Sequence, residues 1–215
     1  MNIEEYAYCN FVKKDDVVYD IGAHVGSVSV RFAKIGVKKV YAFEPSVSNF
    51  IDLKKNTSSF TNIECYNLAL NDHEYSCKTK FKDCRTDRER DSEQDISYVV
   101  LEDLIKKERI ELPDFVKMDI EGMESIVLKT FDFLFKQKRP IVFVELHVAP
   151  KNEPQRYKDN PHWATPEDGG FDFNTLKQHD YIIIDKSLIA YPELADWNPT
   201  PILHKGVILI PKEKA

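Results

Sequence analysis

The chain of 215 residues carries 30 Lys and Arg against 36 Asp and Glu, a formal net charge of −6. That length suits one domain with a core large enough to fold without covalent staples, and the acidic balance disfavours a nucleic-acid or anionic-membrane partner, since both need a concentrated basic surface. Cys9, Cys65, Cys77 and Cys84 have no CxxC spacing, the opening residues hold no charged-then-apolar leader, and no apolar run reaches bilayer-spanning length. A cytoplasmic chain with neither a zinc module nor a disulfide framework is expected.

Short β-branched runs alternate with stretches of helical spacing, the pattern of a parallel sheet covered on both faces. "DVVYDI" is the first strand and "VKKVYAFEP" holds the second; the helix between them, Val28 to Ile35, ends at Gly36, a suitable C-cap. "VSNFIDLKKN" is a helix leading to a third strand, "NIECYNLAL". Residues 71–95 are polar and charged without apolar periodicity and read as an excursion from the sheet. "VVLEDLIKKE" restores helical spacing, "PDFVKMDI" is a fourth strand, "GMESIVLKTFDFLFKQ" one long helix and "RPIVFVELHV" a fifth strand. Residues 149–170, rich in Pro, Asn, Asp and Glu, read as a long loop. "FNTLKQHD" is then a helix, and "YIIID" and "HKGVILIP" are the last strands. The expectation is a single domain over residues 1–215, a Rossmann-like three-layer α/β/α sandwich with a seven-stranded, mostly parallel sheet and no internal repeat.

Ligands of such open sheets collect beyond the carboxyl ends of the strands. Those ends carry Asp20, Glu44, Asp119 with Glu121 two residues on, and Glu145 followed by His147. Carboxylates facing one crevice oppose a dinucleotide's pyrophosphate, whereas the sulfonium and ammonium of S-adenosylmethionine suit them. The segment "VVYDIGAHVGSVSV" also lacks the middle glycine of the G-x-G-x-x-G dinucleotide fingerprint. Gly22 is placed for the sharp turn and Gly26 for close passage of backbone past a ligand at the following helix start, whose free N–H groups suit a carboxylate. Glu44 has the position of an acid that takes both ribose hydroxyls. A nicotinamide-dependent reductase is the disfavoured alternative.

These stretches, with "LEDLIKKERIELPDFVKMDIEGMESIVL" and "IVFVELH", make the chain similar to the FkbM family of S-adenosylmethionine-dependent methyltransferases. The most specific part is "VKMDIEGME", which resembles the family signature K-I-D-V-E-G-A-E. The resemblance covers Asp16 to about Pro211 and is weakest over 71–95 and 149–170. It implies the class I methyltransferase fold with strand order 3-2-1-4-5-7-6, the last strand antiparallel, and methyl transfer to a hydroxyl oxygen. Asp20, Gly22, Ala23, His24, Gly26, Glu44, Ala69, Leu70 and Asp119 then form the cofactor set. Ala69 and Leu70 resemble the segment that flanks adenine in related methyltransferases, although apolar core residues there need no function. His24 departs from the small polar residue, such as Asn, common in the family, and the loop around Trp163 matches no family pattern.

Methyl transfer needs alignment first and a base only for an acceptor hydroxyl of high pKa. The catalytic candidates are Asp119, Glu121, Glu145 and His147, with His147 the expected proton acceptor because an imidazole titrates near neutrality. Glu145, which shares a strand face with His147, is placed to orient the ring or to hold a substrate hydroxyl. Glu124 opens a helix, where an acid complements the helix dipole. Asp119, Glu145 and His147 have ligand chemistry for magnesium, manganese or iron, but without tight ligand spacing no metal is expected. His162 and Trp163 are the candidates for a substrate lid, and Cys77 and Cys84 read as incidental thiols. The acceptor is expected to be a small molecule, a sugar or polyketide-like hydroxyl, and the alternative is a non-catalytic S-adenosylmethionine-binding module or partner subunit. Oligomeric state is not legible in these residues.

Overall fold

A computed structural model of the chain describes residues 1–79, 93–147, 178–185, 190–191 and 205–215. It opens on a helix the sequence pattern had not suggested, α1 (Ile3–Phe11). Asn2 caps it, its side chain accepting the Glu5 N–H at 2.7 Å. Next come β1 (Val17–Ile21), α2 (Ser27–Ile35), β2 (Lys39–Phe43), α3 (Val47–Thr57) and β3 (Ile63–Tyr66), close to the expected bounds. Gly36 ends α2 as expected, its N–H bonded to the Ala33 carbonyl.

Past β3 the chain leaves the main sheet. β4 (Ala69–Leu70) pairs in parallel with β6 (Gln94–Val99), which pairs antiparallel with β5 (Tyr75–Thr79). "NIECYNLAL" is therefore two strands in two sheets, and the described ends of the polar excursion are β structure. Tyr75 stacks on Tyr98 at 4.3 Å and Ile96 is buried, so this small sheet is anchored by few apolar positions. Cys77 lies on β5, whereas Cys84 lies outside the described residues.

The chain returns through α4 (Leu101–Glu108), β7 (Phe115–Met118), α5 (Glu124–Lys129), α6 (Asp132–Gln137) and β8 (Ile141–Leu146). The single helix expected over "GMESIVLKTFDFLFKQ" is thus two. The N–H groups of Thr130 and Phe131 bond carbonyls three residues back, and the Thr130 hydroxyl donates to the Val127 carbonyl at 2.7 Å, which draws the backbone out of the α ladder. Val127, Leu128, Phe131, Leu134 and Phe135 pack into one core across that break, so the apolar period runs through it unmarked.

β9 (Tyr181–Ile184), β10 (Ala190–Tyr191) and β11 (Lys205–Pro211) complete a sheet ordered β10-β9-β11-β8-β7-β1-β2-β3. β3, β2, β1, β7 and β8 run parallel, and β11 is antiparallel to both β8 and β9. This is the expected 3-2-1-4-5-7-6 order with the two-residue β10 added at one edge. The loop expected over 149–170, with His162 and Trp163, lies outside the described residues, as does most of the helix expected in "FNTLKQHD". Among the described residues no helix is long and apolar enough to cross a membrane.

Helices cover both faces of the sheet, and strand alternation decides what each face receives. Val17, Tyr19 and Ile21 of β1 enter the core shared with α4, α5 and α6, while Val18 enters the one built by Tyr8 of α1 and Phe32 of α2. Tyr8 fixes α1 there, meeting Phe32, Phe115 and Phe143 edge-on. By the same parity Asp20 and Lys117 fall on the α1 and α2 side.

Candidate active site

Beyond β1 the backbone turns at Gly22, with φ of 79°. Ile21 pairs with Met118, so the next residues of β1 and β7 meet at the sheet's end. A Cβ on Gly22 would lie 1.8 Å from the Asp119 carbonyl oxygen, and no side chain fits. The Gly22 and Ala23 N–H groups both donate to the Phe43 carbonyl at 3.0 Å, stitching the turn to the end of β2. His24 sits at the turn's tip with φ of 52° and donates its N–H to Glu44 Oε2 at 2.8 Å. Gly26, the N-cap of α2, brings no side-chain acceptor, and a Cβ there would come within 2.7 Å of Leu53 on α3. The first-turn N–H groups of α2 therefore have no side-chain cap and suit an anionic group.

Glu44 follows β2 and is buried. Its Oε1 accepts the Ser46 N–H at 2.9 Å and the Asn49 amide at 3.5 Å, so one carboxylate ties the glycine turn to the start of α3. Burial pushes its pKa above the usual carboxylate value, against the lowering pull of the Ser46 and His24 N–H bonds. Ala69 and Leu70 belong to β4 of the small sheet, with Leu70 buried in the core and Ala69 half-buried.

Asp20 is not a bare anion of the crevice. It is fully buried, Oδ2 accepts the Ser29 hydroxyl of α2 at 2.5 Å, and Oδ1 lies 3.3 Å from Lys117 Nζ. The register explains the pair, because Asp20 of β1 stands directly beside Lys117 of β7. Lys117 also donates to the Gly22 carbonyl at 2.6 Å and approaches Asp119 to 4.0 Å. Burial opposes its charge, but Asp20 and Asp119 outweigh that and hold its pKa above the usual value. Sequence reasoning missed Lys117, although a lysine inside the apolar run "FVKM" is a signal of a paired buried charge.

Asp119 and Glu121 follow β7, and His147 follows β8. The structure brings these three together and adds Glu124. Glu121 and Gly122 both take positive φ, 55° and 111°, and the tight turn they make is held by Glu124 Oε1, which accepts the Ile120 and Gly122 N–H groups at 3.1 Å each. The same oxygen meets His147 Nδ1 at 2.8 Å. Nε2 of that ring lies 3.4 Å from Glu121 Oε2 and 4.0 Å from Asp119 Oδ1. Glu124 and His147 are buried, Asp119 is mostly buried and Glu121 is half exposed. Glu145 is half-buried on β8, beside Gly206 of β11.

That setting acts on the charge of His147. Burial alone would lower its pKa, but Glu124, Glu121 and Asp119 together push it up to about 9. The three carboxylates thus favour the protonated form of the ring. Asp119, Glu124 and His147 each offer one ligand atom within 4.8 Å of the others, with Glu124 in the place the sequence suggested for Glu145. Glu124 Oε1 already accepts the Ile120 and Gly122 N–H groups and meets His147 Nδ1.

A mostly parallel sheet in this order, with a glycine turn after β1 and an acid after β2, defines a class I methyltransferase fold. The Methyltransferase FkbM domain model matches residues 20–183, and the chain belongs to that family. In structure it is similar to the FkbM methyltransferase of Methylobacillus flagellatus KT, with a TM-score of 0.57 and 18% identity over 91% of this chain and 43% of that one. The chain thus spans less than half the length of that relative. It is also similar to precorrin-6y C5,15-methyltransferase of Geobacter metallireducens GS-15, with a TM-score of 0.50 and 11% identity over 98% of this chain and 88% of that one. At these identities the likeness bears on fold. No curated protein matches the chain.

Proposed function

We propose that the chain is an S-adenosylmethionine-dependent methyltransferase acting on a hydroxyl oxygen of a small molecule, with residues 1–215 as one catalytic domain. The observation that carries this reading is the buried Glu44 carboxylate, fixed at the end of β2 and bonded through the His24 N–H to a turn without the pyrophosphate glycine. The donor set fits the cofactor: Glu44 for the ribose hydroxyls, the uncapped first turn of α2 for the methionine carboxylate, and Asp119 on the side of the positive groups. Gly22, Ala23 and Gly26 shape the turn, and Asp20 supports it from below through Lys117. Ala69 and Leu70 flank the adenine side.

When bound, S-adenosylmethionine supplies a methyl group on a positively charged sulfur. The residues around the crevice align the acceptor, exclude water and take its proton. Asp119, Glu121 and His147, brought together past β7 and β8, are the groups that take that proton. Glu145 holds an acceptor hydroxyl. A carboxylate-lined mouth favours a neutral or cationic polyol over a phosphate-bearing polymer. The free thiols of Cys9, Cys65 and Cys77 fit a reducing cytoplasm.

Incubation of the full chain with S-adenosylmethionine and a panel of hydroxylated sugars and polyketide-like alcohols tests the reading by release of S-adenosylhomocysteine. Acceptor-dependent release supports it. Tight cofactor binding with no release across the panel favours the non-catalytic binding module instead.

A further inference from the structure

Lys117 is a buried cation whose contacts run to both parts of the cradle assigned to the methionine end of the cofactor. Its Nζ donates to the Gly22 carbonyl at 2.6 Å and lies 3.3 Å from Asp20 Oδ1. Asp20 Oδ2 in turn accepts the hydroxyl of Ser29, in the first turn of α2, at 2.5 Å. One ammonium therefore reaches the glycine turn directly and the start of α2 through a carboxylate. Ile21 is the last residue of β1 paired with β2 and β7, and the donor to the carbonyl just beyond it is this side chain. The peptide that carries the Gly22 carbonyl has its N–H on Ala23, bonded to the Phe43 carbonyl at 3.0 Å. Both ends of that peptide are thus engaged, one by β2 and one by Lys117. Gly22 has φ of 79° and no Cβ, so its own backbone allows the peptide to turn over. A lysine fixed on β7 selects one orientation.

We propose that Lys117 is a positioning residue for cofactor binding: by holding the Gly22 carbonyl, and α2 through Asp20 and Ser29, it keeps the glycine turn in its binding-competent shape before any ligand arrives. The inference rests on the cofactor reading above and gives the lysine a part in binding separate from its pairing with Asp20. A turn that is competent only part of the time lowers the apparent affinity of its ligand by that fraction, and ordering it beforehand removes the loss. The effect is one of geometry. It acts alike on S-adenosylmethionine and S-adenosylhomocysteine, which differ at the sulfur and not in the carboxylate that the start of α2 would receive.

The double variant Asp20→Asn, Lys117→Met separates positioning from stability. It removes one charge of each sign, so neither member of the pair is left as a lone buried ion, yet it takes away the donor to Gly22. Urea denaturation of the full chain gives its stability, and calorimetric titration with S-adenosylmethionine and with S-adenosylhomocysteine gives its affinities. Relative to the native protein, both compounds are expected to bind about fivefold or more weakly and by the same factor, while stability returns most of the way from that of Lys117→Met. A role in stability alone has affinity return with stability; that result overturns the proposal, as does a loss confined to one of the two compounds. A second measurement needs no substitution: a through-bond ¹⁵N–¹³C correlation joining Lys117 Nζ to the Gly22 carbonyl carbon is expected in the native protein without ligand, and its absence also overturns the proposal. Each of these results leaves the cofactor reading standing. Failure of both compounds to bind the native protein overturns the two together.

Discussion

Lys117 Nζ lies 3.3 Å from Asp20 Oδ1, and both side chains are buried under the turn that follows β1. The pair is a consequence of register, since Asp20 and Lys117 are cross-strand neighbours of β1 and β7. Lys117→Met should therefore leave Asp20 as an uncompensated buried anion and cost about 3–5 kcal/mol of stability. Asp20→Asn in the same chain should recover much of that loss. Urea denaturation of the two single variants and the double variant, read as a mutant cycle, checks both statements.

The two glycines of the turn should differ in tolerance. Gly22→Ala places a methyl on the Asp119 carbonyl, a backbone atom, and should cost more than about 2 kcal/mol. Gly26→Ala meets first the end of the Leu53 side chain, which unlike a backbone carbonyl can change rotamer, so its cost should be the smaller, near 1–2 kcal/mol, mostly from the left-handed backbone. Thermal unfolding of the two variants ranks them. Equal costs would contradict the packing described.

Much of this arrangement was legible in the sequence, and what was not has identifiable physical causes. The parallel strands could be read because each is an apolar run bounded by turn residues, and Gly22, Gly26 and Glu44 because their chemistry is tied to strand ends. The break at Thr130 was hidden since the apolar period continues through Phe131. β5 and β6 left no mark in the pattern because an antiparallel pair anchored by Ile96 and a Tyr75–Tyr98 stack has little period to display. The parity that turns Asp20 toward Lys117 and Ser29 follows from register, which local pattern does not give. The state of His147 is set by Glu124, 23 residues earlier, and by a turn whose positive-φ residue is Glu121 and not only a glycine.

The charge on His147 has a pH signature. Its pKa in the folded chain, about 9, lies above the ordinary 6.5, so the stability it contributes is fully present below about pH 6.5 and is lost as pH rises through about 9. The loss should be on the order of 3 kcal/mol. Comparing denaturation of the native protein and His147→Gln near pH 6 and near pH 10 isolates it from lysines and tyrosines that titrate in both. A difference independent of pH would contradict the assignment.

Glu44 should matter for both stability and binding. Both of its oxygens accept N–H bonds, so in Glu44→Gln the amide nitrogen faces a donor and stability should fall by about 1–3 kcal/mol. Affinity for S-adenosylmethionine should fall about tenfold or more, the loss of a charge-assisted bond to a hydroxyl. Parallel denaturation and calorimetry of this variant would read the two effects separately.

The account depends above all on what the turn and Glu44 hold, and one calorimetric experiment addresses that directly: titration of the native chain with S-adenosylmethionine, with NADH as the comparison ligand. Saturable binding of one S-adenosylmethionine per chain, weakened in Glu44→Gln, with no measurable heat from NADH, is the predicted result. Binding of NADH, or no binding of S-adenosylmethionine at millimolar concentration, would contradict it.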